Sequence, residues 1–151
     1  MTKYDKYDFE RDFMLRTLEI LKDYKGSRDA TILINCLLGL IILPKETYLE
    51  LIPDDSIDNI KDWGISPSSI VNIGDNTEAN YDPNTIRGFV HNLRHSVAHF
   101  SVRPTQEEDV KGFEFTNSSR FKAKLSLDEI TKFAGILTNY LIEHALNTRL
   151  E

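Results

Sequence analysis

The chain reads as an all-α protein: a bundle of four to five helices with one small β-hairpin before the last helix. Three observations predict this. Apolar residues recur at helical spacing through most of the 151 residues. With only 7 Gly and 5 Pro, the chain is not built mainly from loops. The period drops to two at a single place, between residues 112 and 126, where Phe113 and Phe115, and then Phe121, Ala123 and Leu125, alternate with polar residues.

Taken in order, Phe9, Phe13, Leu18, Ile20, Leu21 and Tyr24 mark the inward face of a first helix over 7–24, ended at Lys25-Gly26. Residues 28–43 are apolar nearly all round and stop at Pro44, as suits a central helix. A short helix over 45–52 would turn Tyr48, Leu49 and Ile52 inward. Residues 53–83 carry Pro53, Pro67 and Pro83 among many Asp, Asn and Ser, and read as a long irregular loop. A helical piece at 57–63 would anchor it through Trp63. A helix over 84–102 follows, and Thr116-Asn117-Ser118-Ser119 provides the turn of the hairpin. Ser126, with Glu129 three residues on, opens the last helix as a capping box, and Ile130, Phe133, Leu137, Tyr140, Leu141 and His144 mark one face of it. All of this forms one domain over residues 1–151; Leu150-Glu151 could be a vector-derived scar.

Charge and composition exclude several function classes. A net charge of −6 and a pI near 5.2 argue against a broad phosphate-binding surface, so nucleic acid would have to be met on a local basic patch. The single cysteine, Cys36, rules out an internal disulfide or a CxxC zinc ribbon, and its bland role is a small buried residue. The N-terminus is charged rather than signal-like. The longest apolar run, 32–43, is shorter than the roughly 20 residues a membrane helix needs. A cytoplasmic protein without a membrane segment is expected. No glycine-rich phosphate loop and no Ser/His/Asp set is present, so no cofactor is expected.

The chemistry concentrates in the 84–102 helix. His91, His95 and His99 lie there with Arg87, Arg94 and Arg103. At about 100° per residue, Ile86, Phe89, Val90, Leu93, Val97 and Phe100 share one core-facing arc, and Arg87, His91, Arg94, His95, Ala98 and His99 fall opposite. A solvated face that happens to be rich in histidine is the plain alternative.

Arg94-His95-Ser96-Val97-Ala98-His99 resembles the R-x4-6-H signature of the HEPN superfamily. The apolar stretch from Asn35 to Leu43-Pro44, Trp63-Gly64-Ile65 and the Phe113 to Ala123 hairpin are similar to those of a small standalone bacterial and plasmid-borne HEPN nuclease group. The resemblance implies a helical HEPN bundle that dimerises through the 84–102 helices and forms a composite site that cuts RNA without metal. In that site Arg94 would bind and stabilise the phosphate, His99 would act as general acid/base and His95 would orient or assist. His91 and Arg87 are further substrate-binding candidates. These residue types suit the chemistry. RNA carries a 2′-OH beside the scissile phosphate; a histidine can move that proton; an arginine can grip the phosphate with paired hydrogen bonds. Arg94 and His99, five residues apart, splay by about 140° on one helix, so two antiparallel copies would bring Arg94 of one near His99 of the other. Toxin–antitoxin or anti-phage biology, with a possible antitoxin partner, is the setting the resemblance suggests. Two departures stand out: His95 occupies a position where Asn is commoner, and Phe100-Ser101 follows His99 where toxins modified by a partner nucleotidyltransferase carry a Tyr two residues on.

Two rivals compete with this reading. The i, i+4, i+8 spacing of His91, His95 and His99 suits metal binding in pairs, but the three drift around the helix and no HExxH glutamate accompanies them. A non-catalytic HEPN module that binds RNA, nucleotides or protein would suit the acidic charge.

Overall fold

The computed structural model describes residues 9–23, 35–36, 39, 50–75 and 81–146. Among them lie helix α1 (Phe9–Asp23), a 3-10 helix (Ile57–Trp63), a second 3-10 turn (Pro67–Ser69) and strand β1 (Ile70–Asn72). Helix α2 (Ile86–Ala98), strands β2 (Val102–Pro104), β3 (Gly112–Thr116) and β4 (Lys122–Ser126), and helix α3 (Leu127–Leu141) follow. Wider, π-type turns over Ile142–Leu146 extend α3.

The hairpin forms in the register its alternation dictates, with Phe113 opposite Leu125 and Phe115 opposite Ala123. Phe115, Phe121, Ala123 and Leu125 are buried, while Lys122 pairs with Glu114 across the other, wetter face at 3.0 Å. The all-α expectation, however, is overturned. The hairpin is the centre of a four-stranded antiparallel sheet in the order β1-β4-β3-β2, so the protein is mixed α and β. The two strands that sequence reading missed are three residues long and lie on the sheet edges. Strands that short show no period of their own; they are extended because the hairpin offers them ladder partners. Pro104 sits in the outer strand β2, where a missing N–H is tolerated.

One face of this sheet carries the core. Phe89 of α2 meets Phe121 and Phe133 edge-on, with centroids 5.7 and 5.8 Å apart, so α2, the residue just before β4 and α3 converge on that ring. The capping box forms as expected: Ser126 Oγ accepts from the Glu129 N–H, and Glu129 Oε1 accepts from the Ser126 N–H. Glu129 reaches further, accepting from the Ser66 N–H and the Ser69 hydroxyl, which ties the 66–69 turn to α3. Ile130, Phe133, Leu137 and Leu141 face inward, but His144 is exposed. On α1, Met14, Thr17 and Leu18 are buried and Ile20 is half exposed, so the inward face is rotated from the one expected.

The 57–63 helix and its anchor are present. Trp63 is buried with its ring 5.4 Å from that of Tyr140, and Tyr140 donates to the Leu51 carbonyl at 2.9 Å. Gly64 ends that helix at φ +86, where an added Cβ would lie 2.7 Å from Lys132 Cβ, so glycine is required there. The helix expected over 28–43 lies largely outside the described residues, which include helical Asn35, Cys36 and Gly39. The short helix over 45–52 also falls mostly outside them; Ile52, at its end, is fully buried. Among the described residues no helix is long and apolar enough to cross a membrane.

Candidate functional site

Helix α2 carries Arg87, His91, Arg94 and His95, with His99 as its C-cap, and its two ends are built differently. Thr85 is the N-cap, its hydroxyl accepting from the Gly88 N–H at 3.0 Å. The Ile86 and Arg87 amides donate to the Asp55 and Pro53 carbonyls, and Phe89 donates to Thr85. The first-turn donors that a helix leaves orphaned are thus paired, two of them by the 53–55 segment alongside. Gly88 lets the helix start press against the preceding turn: a Cβ there would collide with the Asp82 carbonyl and stand 3.0 Å from Pro83 Cα.

Midway, Asn92 is buried and bridges three parts of the fold. Its Nδ2 donates to the Ile73 carbonyl at 3.1 Å, and its Oδ1 accepts from Asn117 Nδ2 at 2.8 Å. Asn117 in turn caps the hairpin turn, its Oδ1 accepting from the Ser119 and Phe121 amides. The site helix is therefore locked both to the hairpin and to the segment after β1.

The C-terminal end differs from the expected helix over 84–102. The helix stops at Ala98, His99 is the cap, and Phe100 takes a left-handed φ of 55°. Ser101 N–H donates to the Ser96 carbonyl at 2.8 Å and Phe100 N–H to Val97 at 3.1 Å, the paired bonds of a Schellman turn. Glycine normally holds that position; a bulky side chain there costs roughly 1–2 kcal/mol. Val102 then enters β2. The core stripe holds for Ile86, Phe89, Val90, Leu93 and Val97, all buried, but Phe100 is 87% exposed. A helical wheel carried past Ala98 put Phe100 inside; the reversal of the backbone at the cap turns it out. No glycine marks this helix end, and the signals that remained were β-branched Val102 and Pro104 just beyond.

The candidates divide accordingly. His95 and His99 are exposed on the last turn, with ring centroids 4.9 Å apart. Arg94, beside them in sequence, is half-buried, with its Nη1 nitrogen shielded from solvent. His91, placed by the wheel on the outward side, is buried and stacks on Tyr81, with centroids 4.4 Å apart and planes within 15°. Arg87 donates from Nε to the Ile52 carbonyl at 2.7 Å. The structure therefore brings the rings of His95 and His99 together, leaves Arg94 half-buried beside them in sequence only, and engages His91 with Tyr81 and Arg87 with the Ile52 carbonyl. Among the described residues no three His, Cys, Asp or Glu side chains are grouped to hold a metal ion. Cys36 is partly buried, which pushes its thiol pKa up and makes it a poor nucleophile.

No curated protein and no solved structure matches the chain. A sequence model of the family described as HEPN pEK499 p136 matches residues 1–148, which spans α1, the site helix, the whole sheet and α3. With that match over nearly its full length, the chain belongs to the HEPN pEK499 p136 family.

Proposed function

We propose that this HEPN protein is a metal-independent endoribonuclease acting in toxin–antitoxin or anti-phage defence. The observation that carries the reading is the pair of exposed imidazoles, His95 and His99, with centroids 4.9 Å apart at the C-terminal end of α2. In this reading a base takes the proton of the ribose 2′-OH, whose oxygen attacks the adjacent phosphorus. The bond from phosphorus to the 5′ oxygen breaks, an acid protonates that oxygen, and a 2′,3′-cyclic phosphate remains. His99 serves as the general acid/base, His95 orients the phosphate or assists, and Arg94 stabilises charge on the phosphate oxygens. Arg87 and His91 support the helix from its other end, through Ile52 and Tyr81. Two copies meeting through α2 across a two-fold axis place Arg94 of each near His99 of the other and concentrate positive charge in one cleft of an acidic protein.

The test is expression of wild type beside His99→Asn and Arg94→Ala, following growth and total RNA. His99→Asn is expected to lower cleavage by about 100-fold or more with the dimer intact by light scattering. His95→Asn, which retains a hydrogen-bonding group, is expected to keep most activity. Activity is expected to survive EDTA; loss on chelation with restoration by Zn²⁺ would favour a metal site. The acidic charge of −6 favours the second reading, a non-catalytic binding module. Identical RNA and growth in wild type and both variants would establish it over the nuclease.

A further inference from the structure

We propose that the ring of Phe100 is a stacking platform for a nucleobase flanking the phosphate held at Arg94 and His99. This rests on reading the site as one that takes RNA. Phe100 is 87% exposed and sits at φ 55°, a backbone conformation that side chains as large as this rarely adopt. The turn cannot relax to hide the ring. Phe100 and Ser101 amides are bonded back into α2, and the Ser101 carbonyl accepts from the Thr116 N–H at 3.0 Å, so the backbone is clamped between helix and sheet. Glycine would satisfy this turn without strain, so the fold itself gains nothing from phenylalanine. Strain held in place by its surroundings is typical of positions that serve a site.

The surroundings say what the ring meets. The other large exposed apolar side chains among the described residues, Ile20, Leu51, Val71 and Ile136, lie on other elements. On the site helix and β2, the exposed neighbours in sequence are His95, Ala98, His99, Arg103 and Pro104. The ring thus stands on a surface that also carries two imidazoles and a guanidinium group. It has the composition of a single-stranded nucleic-acid site, where aromatic faces stack on bases and cations meet the backbone. The attacking 2′-OH and its base share one ribose, so a phosphate at the imidazoles brings a base within the reach of the next residue. Stacking of this kind tolerates any base, because every base has a flat π face.

The test measures binding of fluorescein-labelled oligo(A) and oligo(U) ribonucleotides by anisotropy in a His99→Asn background, which prevents turnover. Adding Phe100→Gly is expected to weaken binding of both by about tenfold, while Phe100→Trp restores it. An oligonucleotide with abasic sites is expected to bind the parent and the glycine variant equally. The glycine variant is also expected to melt a few degrees higher, because the turn is relieved. Unchanged affinity on Phe100→Gly overturns the platform while leaving the nuclease reading standing. Conversion of a dimer to a monomer by Phe100→Gly assigns the ring to the partner copy and overturns it as well. If the parent binds neither oligonucleotide and wild type cleaves no RNA, the nuclease reading falls and the platform falls with it.

Discussion

The two ends of α2 use the same kind of backbone for opposite purposes. At the N-terminal end Thr85 caps, the 53–55 segment accepts two amides, Gly88 presses on Asp82, and Arg87 reaches the Ile52 carbonyl. At the C-terminal end the helix closes on a strained phenylalanine, and two imidazoles and the Phe100 ring stand in solvent. The first end is tied to neighbouring segments of the chain through its backbone and through Arg87. The second holds its backbone just as firmly but leaves its side chains unburied, which suits a surface that must receive something from outside. The difference teaches that helix position alone does not mark a site. Candidates of equal standing on a helical wheel, such as His91 and His95, separate only when burial is known.

This contrast can be broken by substitution. The largest effect is expected at Gly88→Ala, whose Cβ would meet Asp82 and Pro83 backbone that cannot swing aside. A loss of about 3 kcal/mol or more, and a fall in melting temperature on the order of 10 °C, is expected; a variant as stable as wild type would show that the helix start shifts freely. Arg87→Ala removes a charged donor from the Ile52 carbonyl and is expected to cost about 1.5 kcal/mol, or roughly 3 to 6 °C. Its cleavage per folded molecule should equal that of wild type; a tenfold drop in rate at unchanged stability would return Arg87 to the substrate. The smallest effect is expected at His95→Ala, on the exposed last turn, which should stay within about 0.5 kcal/mol of wild type in thermal unfolding. A large destabilisation there would show that the histidine pair is a structural contact and would erase the contrast between the two ends.

Much of the fold was legible because its signals are local. Alternation over 112–126 located the hairpin, Ser126 with Glu129 located the start of α3, and a helical piece anchored through Trp63 was readable in the irregular stretch. The edge strands were not legible. Three residues at Ile70–Asn72 and three at Val102–Pro104 acquire their conformation from β4 and β3, partners that both lie further along the chain. The Asn92–Asn117 bridge was invisible for the same reason, since nothing in either neighbourhood announces a bond between residues 25 apart.

The sequence by itself determined the family, the apolar stripe of α2 and the candidates Arg94, His95 and His99 that await test, because a motif and an apolar stripe are properties of consecutive residues. Tertiary structure decided that the protein is not all-α, that His91 is buried against Tyr81, and that Phe100 faces solvent. Each of these depends on where a distant segment lies or on one left-handed residue. A periodic pattern assumes that the helix continues, and only the packed chain shows where it stops.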